Sequence, residues 1–139
     1  MPEEPDPARV AGVILSIPGH CYSKKNHRPI RRNRRTGKRF LGKSDELTGY
    51  ESLAVVLVRA QWSPRPPIET EVRVALRVWW WRAHPDALGP AETVYDILEH
   101  AGVVRNDRLI VPWGTPAIER IKVSSPAEER VEVELETGE

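Results

Sequence analysis

Between Glu71 and Trp81 the side chains alternate, with Val72, Val74, Leu76, Val78 and Trp80 on one side and Glu71, Arg73, Ala75, Arg77, Trp79 and Trp81 on the other. A period of two is that of a long strand with one face buried, so this chain must build a sheet and cover it on the valine side. The neighbouring segments supply the cover. Val10–Ile17 reads as a first, largely buried strand stopped by Pro18-Gly19. Asp45 and Glu46 open a helix capped by Ser44, with Leu47, Tyr50, Ala54 and Leu57 on its core face as far as about Ala60. The rigid stretch Ser63–Pro67 leads into the long strand. After it, Pro90 starts a second helix whose apolar stripe is Val94, Ile97, Leu98 and Ala101, and Gly102 ends it. Strands are expected around Leu109–Val111, from Ala117 to Val123, and through Val131, Val133 and Leu135. The order predicts an α+β fold with one mixed β-sheet and two main helices.

With 139 residues, 40% of them hydrophobic and 29% charged, the chain has the size and balance of a single domain, here 9–139 behind a disordered acidic and proline-rich lead, 1–8. No apolar run approaches the length of a membrane span, and MPEEPDPAR does not read as a signal peptide. Cys21 stands alone, which excludes an internal disulfide and a cysteine-rich zinc site and fits a reducing cytoplasm. Walker, GxGxxG and GxSxG patterns are absent, which removes support for nucleotide-driven and serine-hydrolase chemistry.

The net charge of +1 hides a separation of sign. Ten Lys or Arg lie between Lys24 and Lys43, and no Asp or Glu occurs between Asp6 and Asp45. This basic loop, 24–43, includes a predicted hairpin turn at Arg34–Arg39 that leads into a short strand at Arg39–Leu41, with Gly37 at the turn. Lys24, Lys25, Arg28, Arg31, Arg32, Arg34, Arg35, Lys38 and Arg39 suit phosphate contacts, because each neutralised phosphate releases condensed counterions. The bland alternative is a solvated surface loop. Trp79–Trp81 read first as core or dimer packing and second as a platform for splayed bases.

Phosphodiester hydrolysis with magnesium needs carboxylates converging from different elements. Asp86 precedes the second helix and Asp107 follows it, so the helix is expected to return the chain to the same sheet edge. Glu92 in its first turn and His84 just before Asp86 are the candidates to complete a site, whereas Asp96 and Glu99 read equally as solvated helix charges. His20, His27 and His100 lack metal-ligand spacing, and Cys21 reads as a structural thiol.

Two stretches carry a family resemblance. The first is Ile17-Pro18-Gly19, Ser23-Lys24-Lys25, Arg28-Pro29, Thr36–Phe40 and Tyr50-Glu51; the second is His84–Leu88, Tyr95–Leu98, Ala101–Val104 and Asn106-Asp107. Together they resemble the RusA family of Holliday junction resolvases over about residues 13 to 135. That family's second region reads D-x-D-N-L, a lysine, D-x-L, A-G and D-D. One register sets Asp86 at the second acid, His84 at the first and Ala87 at the asparagine; an ungapped one sets Asp86 at the first acid, Leu88 at the second and Glu92 at the lysine. Asn106 stands at the first acid of the closing pair, and the lysine has no equivalent.

The resemblance implies a magnesium-dependent endodeoxyribonuclease that resolves four-way or otherwise branched DNA, an intermediate of recombination and repair, as a cytoplasmic homodimer without a membrane partner. Asp86, Asp107 and Glu92 are the expected catalytic residues, and Asp86, Asp107, His84 and Glu92 the expected metal ligands. Manganese is favoured over magnesium if His84 binds. The alternative is a catalytically impaired RusA-like module that binds branched DNA without cutting it, and a preference for RNA would point to an RNA-processing or toxin-like protein.

Overall fold

The computed structural model describes residues 10–23, 45–82, 84–85, 89–114 and 116–138, and the backbone of 30–32 and 39–41. The expected disordered lead, the Ser44 cap and the hairpin turn around Gly37 lie outside the described residues.

The alternating segment forms β4 (Val72–Trp80), with Val72, Val74, Leu76 and Val78 buried. It is central to the main sheet. On one side β7 (Arg130–Thr137) pairs antiparallel, from Val72↔Thr137 to Trp79↔Arg130, and β7 in turn pairs antiparallel with β1 (Val13–Pro18). The first strand begins three residues later than the expected Val10, because Gly12 takes φ +63 and interrupts the extended run. On its other side β4 pairs parallel with two short strands in succession, β5 (Ile110–Pro112) and β6 (Ile118–Lys122), in the registers Val72↔Ile110 and Leu76↔Ile118. A separate two-stranded sheet joins β2 (Ile30–Arg32) to β3 (Arg39–Leu41) antiparallel, with Arg32 opposite Arg39. The basic segment therefore contains a hairpin.

Two helices cover the valine face. In α1 (Asp45–Trp62) the buried line is Leu47, Glu51, Ala54, Val58 and Trp62, so it is rotated from the expected Leu47–Tyr50–Ala54–Leu57 stripe. Tyr50 and Leu57 are only half-buried. In α2 (Gly89–His100) the stripe is as expected, with Val94, Ile97 and Leu98 fully buried and Ala101 following. Gly102, at φ +78, closes α2: its N–H donates to Glu99 O (3.1 Å) and Val103 N–H to Leu98 O (2.9 Å), which satisfies carbonyls the helix end would orphan.

The sheet's other face carries no helix among the described residues and is covered by its own long side chains. Arg73 pairs with Glu136 at 3.1 Å, Arg77 with Glu119 at 3.4 Å and Arg130 with Glu132 at 3.8 Å. The guanidinium of Arg130 lies 4.0 Å above Trp79, and that of Arg73 lies 5.3 Å above Trp113. On the valine face, Lys122 stands over Trp80 in the same way, and just past the end of β4 Arg82 stands over Trp81. The three consecutive tryptophans are thus half-buried under cations rather than packed in the core. Trp62 is the buried one, its Nε1–H donating to Pro66 O at 3.1 Å. Among the described residues no helix is long and apolar enough to cross a membrane.

Candidate metal centre

The segment between α2 and β5 is fixed at several points before it presents any chemistry. Val103 and Val104 are buried, and 103–105 is stitched to the residue ahead of β4: Ile68 N–H donates to Val103 O (2.8 Å) and Arg105 N–H to Ile68 O (2.9 Å). Asn106, in extended conformation, then caps a one-turn 3-10 helix (Asp107–Leu109) by accepting at Oδ1 from Arg108 N–H at 2.9 Å. Asparagine is among the residues best suited to this capping position, so Asn106 stabilises the turn that carries Asp107.

Asp107 reaches back against α2. One ligand oxygen from each of Asp96, Glu99 and Asp107 lies within 4.8 Å of the other two. Asp96 and Glu99, three residues apart, share a helix face beside the buried stripe; both are half-buried and Asp107 is exposed. Oxygens that ligate one divalent cation at about 2.0–2.6 Å lie up to about 5 Å apart, so these three carboxylates are close enough together to hold a hard cation.

Of the four residues named from sequence, this group contains Asp107. Asp86 lies outside the described residues. Glu92 is exposed in the first turn of α2, where its charge suits the helix dipole, and it lines a separate cavity one turn from Asp96. His84 is elsewhere: its ring meets Trp80 edge-on at 4.8 Å, at the far end of β4. Asp107 stands just before Ile110, the partner of Val72 at the near end. The nine residues of β4 span about 26 Å. His84 and Asp107 therefore cannot share an ion. The helix α2 does return the chain to the same sheet edge, beside β4, but β4 and β5 are parallel, so His84 after β4 and Asp107 before β5 lie at opposite ends of the strands. From sequence, Asp96 and Glu99 read equally as solvated helix charges. Their signal was the spacing of three on the flank of the apolar stripe.

Of the nine basic residues named, Arg31, Arg32 and Arg39 lie in the β2–β3 hairpin, described by its backbone, and Lys24, Lys25, Arg28, Arg34, Arg35 and Lys38 lie outside the described residues. The segment leading into this hairpin is tied to the rest of the fold. Thr93 of α2, fully buried, donates from Oγ1 to Tyr22 O at 2.7 Å, and His20 Nδ1–H donates to Glu129 Oε2 at 2.6 Å. Tyr22 packs edge-on against both His20 and Tyr50.

Cys21 is buried beside Tyr50, and burial pushes its thiol pKa up to about 12, so it stays protonated and is no nucleophile at neutral pH. Burial also raises Tyr50 well above the ordinary tyrosine range. The unfolded chain releases the thiol proton near pH 9, whereas the folded chain holds it to about 12. Stability is therefore expected to be full below pH 9 and to fall as pH rises through that window. Urea unfolding at pH 8 and pH 10 checks this: the loss should shrink in Cys21→Ala, and an equal loss in that variant would refute the assignment to Cys21.

Compared with models of known protein families and with curated protein sequences, the chain matches none.

Proposed function

We propose that this protein is a metal-dependent endonuclease that acts on branched DNA, with Asp96, Glu99 and Asp107 as its metal-binding carboxylates. The observation that carries the reading is the convergence of those three side chains from a helix and from a separately anchored turn. It has support from sequence, since Asp96 and Asp107 both fall on acidic positions of the RusA-like pattern. A divalent cation bound by these carboxylates would act as a Lewis acid towards a substrate phosphate and would lower the pKa of a bound water. The protein's part is positional. Asn106 and the Val103–Ile68 hydrogen bonds fix Asp107, and the buried α2 stripe fixes Asp96 and Glu99. The basic hairpin supplies the phosphate-binding charge. The outer sheet face is a poor rival for DNA, because Glu119, Glu132, Glu134 and Glu136 are spread across it. A cytoplasmic location fits a chain whose one cysteine is free.

A synthetic four-way junction incubated with magnesium, then manganese, beside a linear duplex, tests the reading. Junction-selective cutting is expected. Binding without cutting in either metal decides for a junction-binding module, and a preference for RNA overturns the substrate class.

We also propose a homodimer, but through α1 rather than the tryptophan strand. Opposite its buried line, α1 exposes Gly49, Leu53, Val56 and Ala60 at spacings of four, three and four, with Leu53 58% and Val56 61% exposed. That is the spacing of a helix-pairing seam. It is small at both ends and bulky in the middle, so an antiparallel second copy sets Gly49 against Ala60 and Leu53 against Val56. The same arrangement opposes the helix dipoles and brings the acidic Asp45–Glu46 end towards the end that carries Arg59. Light scattering should give a dimer for the native chain and a folded monomer for Leu53→Lys combined with Val56→Lys. A native monomer, also with junction DNA present, or a dimeric double variant, counts against it.

A further inference from the structure

The parallel edge of the sheet is broken. β4 advances only from Val74 to Leu76 between its pairing with Pro112 and its pairing with Ile118, while the neighbouring edge segment leaves β5 after Pro112 and rejoins β4 only at Ile118. Trp113 N–H donates to Val74 O (2.9 Å) and Leu76 N–H to Ala117 O (3.0 Å), so this excursion is pinned at both ends. The N-terminal half of α2 lies over the break and leaves a cavity of about 420 Å³. Tyr95, Pro112 and Pro116 are among the residues that line it, and Glu92 and Arg120 contribute opposite charges. The volume falls in the range of sites for small molecules, and the position, beside a strand's carboxyl end and a helix start, is where parallel α/β units commonly bind ligands.

The lining selects the class of occupant. A purely apolar ligand would desolvate Glu92 and Arg120 without return, and a bare anion would meet the Glu92 carboxylate. A planar ring with an amino donor, joined to a phosphate, satisfies all three features: stacking on Tyr95, donation to Glu92 and a charge-assisted contact with Arg120. Arg120 is itself held in place, donating from one guanidinium nitrogen to Pro85 O at 3.1 Å. Glu92 lies four residues before Asp96 on α2, about 6 Å along the helix, so the cavity and the carboxylate group are neighbours on one element.

We infer that this cavity receives an unstacked nucleobase carrying an exocyclic amino group, from a nucleotide next to the one cut. The inference rests on the nuclease reading. Branched DNA favours it, because a base at the crossing point is already partly unstacked and costs less to extrude.

The test uses four-way junctions with 5-iododeoxycytidine at the crossing point, bound to the full chain in chelator and irradiated. Mass spectrometry is expected to place the crosslink on Tyr95. Ala117→Trp, which fills the cavity, should remove that crosslink while the junction stays bound through the basic hairpin. Glu92→Gln provides a variant at an exposed position. The native chain should bind a junction with cytosine at the crossing point about tenfold more tightly than one with thymine, and Glu92→Gln should bring the two together. Binding of the junction with crosslinks only at other residues, or with a Tyr95 crosslink undiminished in Ala117→Trp, overturns the cavity assignment and leaves the nuclease reading standing. No junction binding by the native chain overturns both.

Discussion

Asp107→Asn is expected to abolish junction cleavage, by on the order of 10³-fold, while junction binding stays the same or tightens. The amide keeps the size of the carboxylate and removes its charge. The turn should survive, because its cap is Asn106 and its anchors are backbone bonds of Val103 and Arg105 to Ile68. On the proposed reading, one of three anionic ligand groups is lost, and with it the attraction for a divalent ion. Binding can tighten because a negative charge near the DNA phosphates disappears. Asp96→Asn should behave alike. Full activity in both variants would remove the carboxylate group from the account. The same assay on Asp86→Asn addresses the acid named from sequence that lies outside the described residues.

The largest effect on stability is expected from Leu98→Ala, about 3 kcal/mol, or a fall of roughly 10 °C in Tm for a chain of this size. Leu98 is 0% exposed, and its carbonyl accepts from Val103 N–H, so the residue joins the core to the helix end from which the Asp107 turn departs. Truncation leaves a cavity in the core and loosens the element that carries Asp96 and Glu99. Activity measured well below the new Tm should therefore fall with stability, in contrast to Asp107→Asn, which should lose activity with an unchanged melting curve. A loss below about 1 kcal/mol would mean that α2 repacks freely around the site.

Strands and helices with one clear apolar period were legible from sequence. β4, β7 and α2 lie where alternation and the Gly102 stop put them, since each has one buried side and one wet one. In α1 the period was ambiguous for a physical reason: the helix is apolar on two opposite sides, and composition does not say which meets the sheet. Glu51 took the buried place expected for Tyr50, and Leu53 and Val56 were left outside. Strand direction was not legible either. Nothing local to Leu109–Val111 distinguishes a parallel from an antiparallel partner, yet that choice separates His84 from Asp107. Asp96 and Glu99 read equally as solvated charges, because an acid on a helix flank looks like any other until a distant turn is folded against it.

Asp96, Glu99 and Asp107 are proposed to hold one divalent ion. Manganese binding to the full chain, followed by electron paramagnetic resonance without DNA, tests it with no dependence on the substrate. One site per chain is predicted for the native protein, displaced by magnesium, lost in Asp107→Asn and retained in His84→Ala. Equal manganese binding by the native chain and Asp107→Asn would contradict the account.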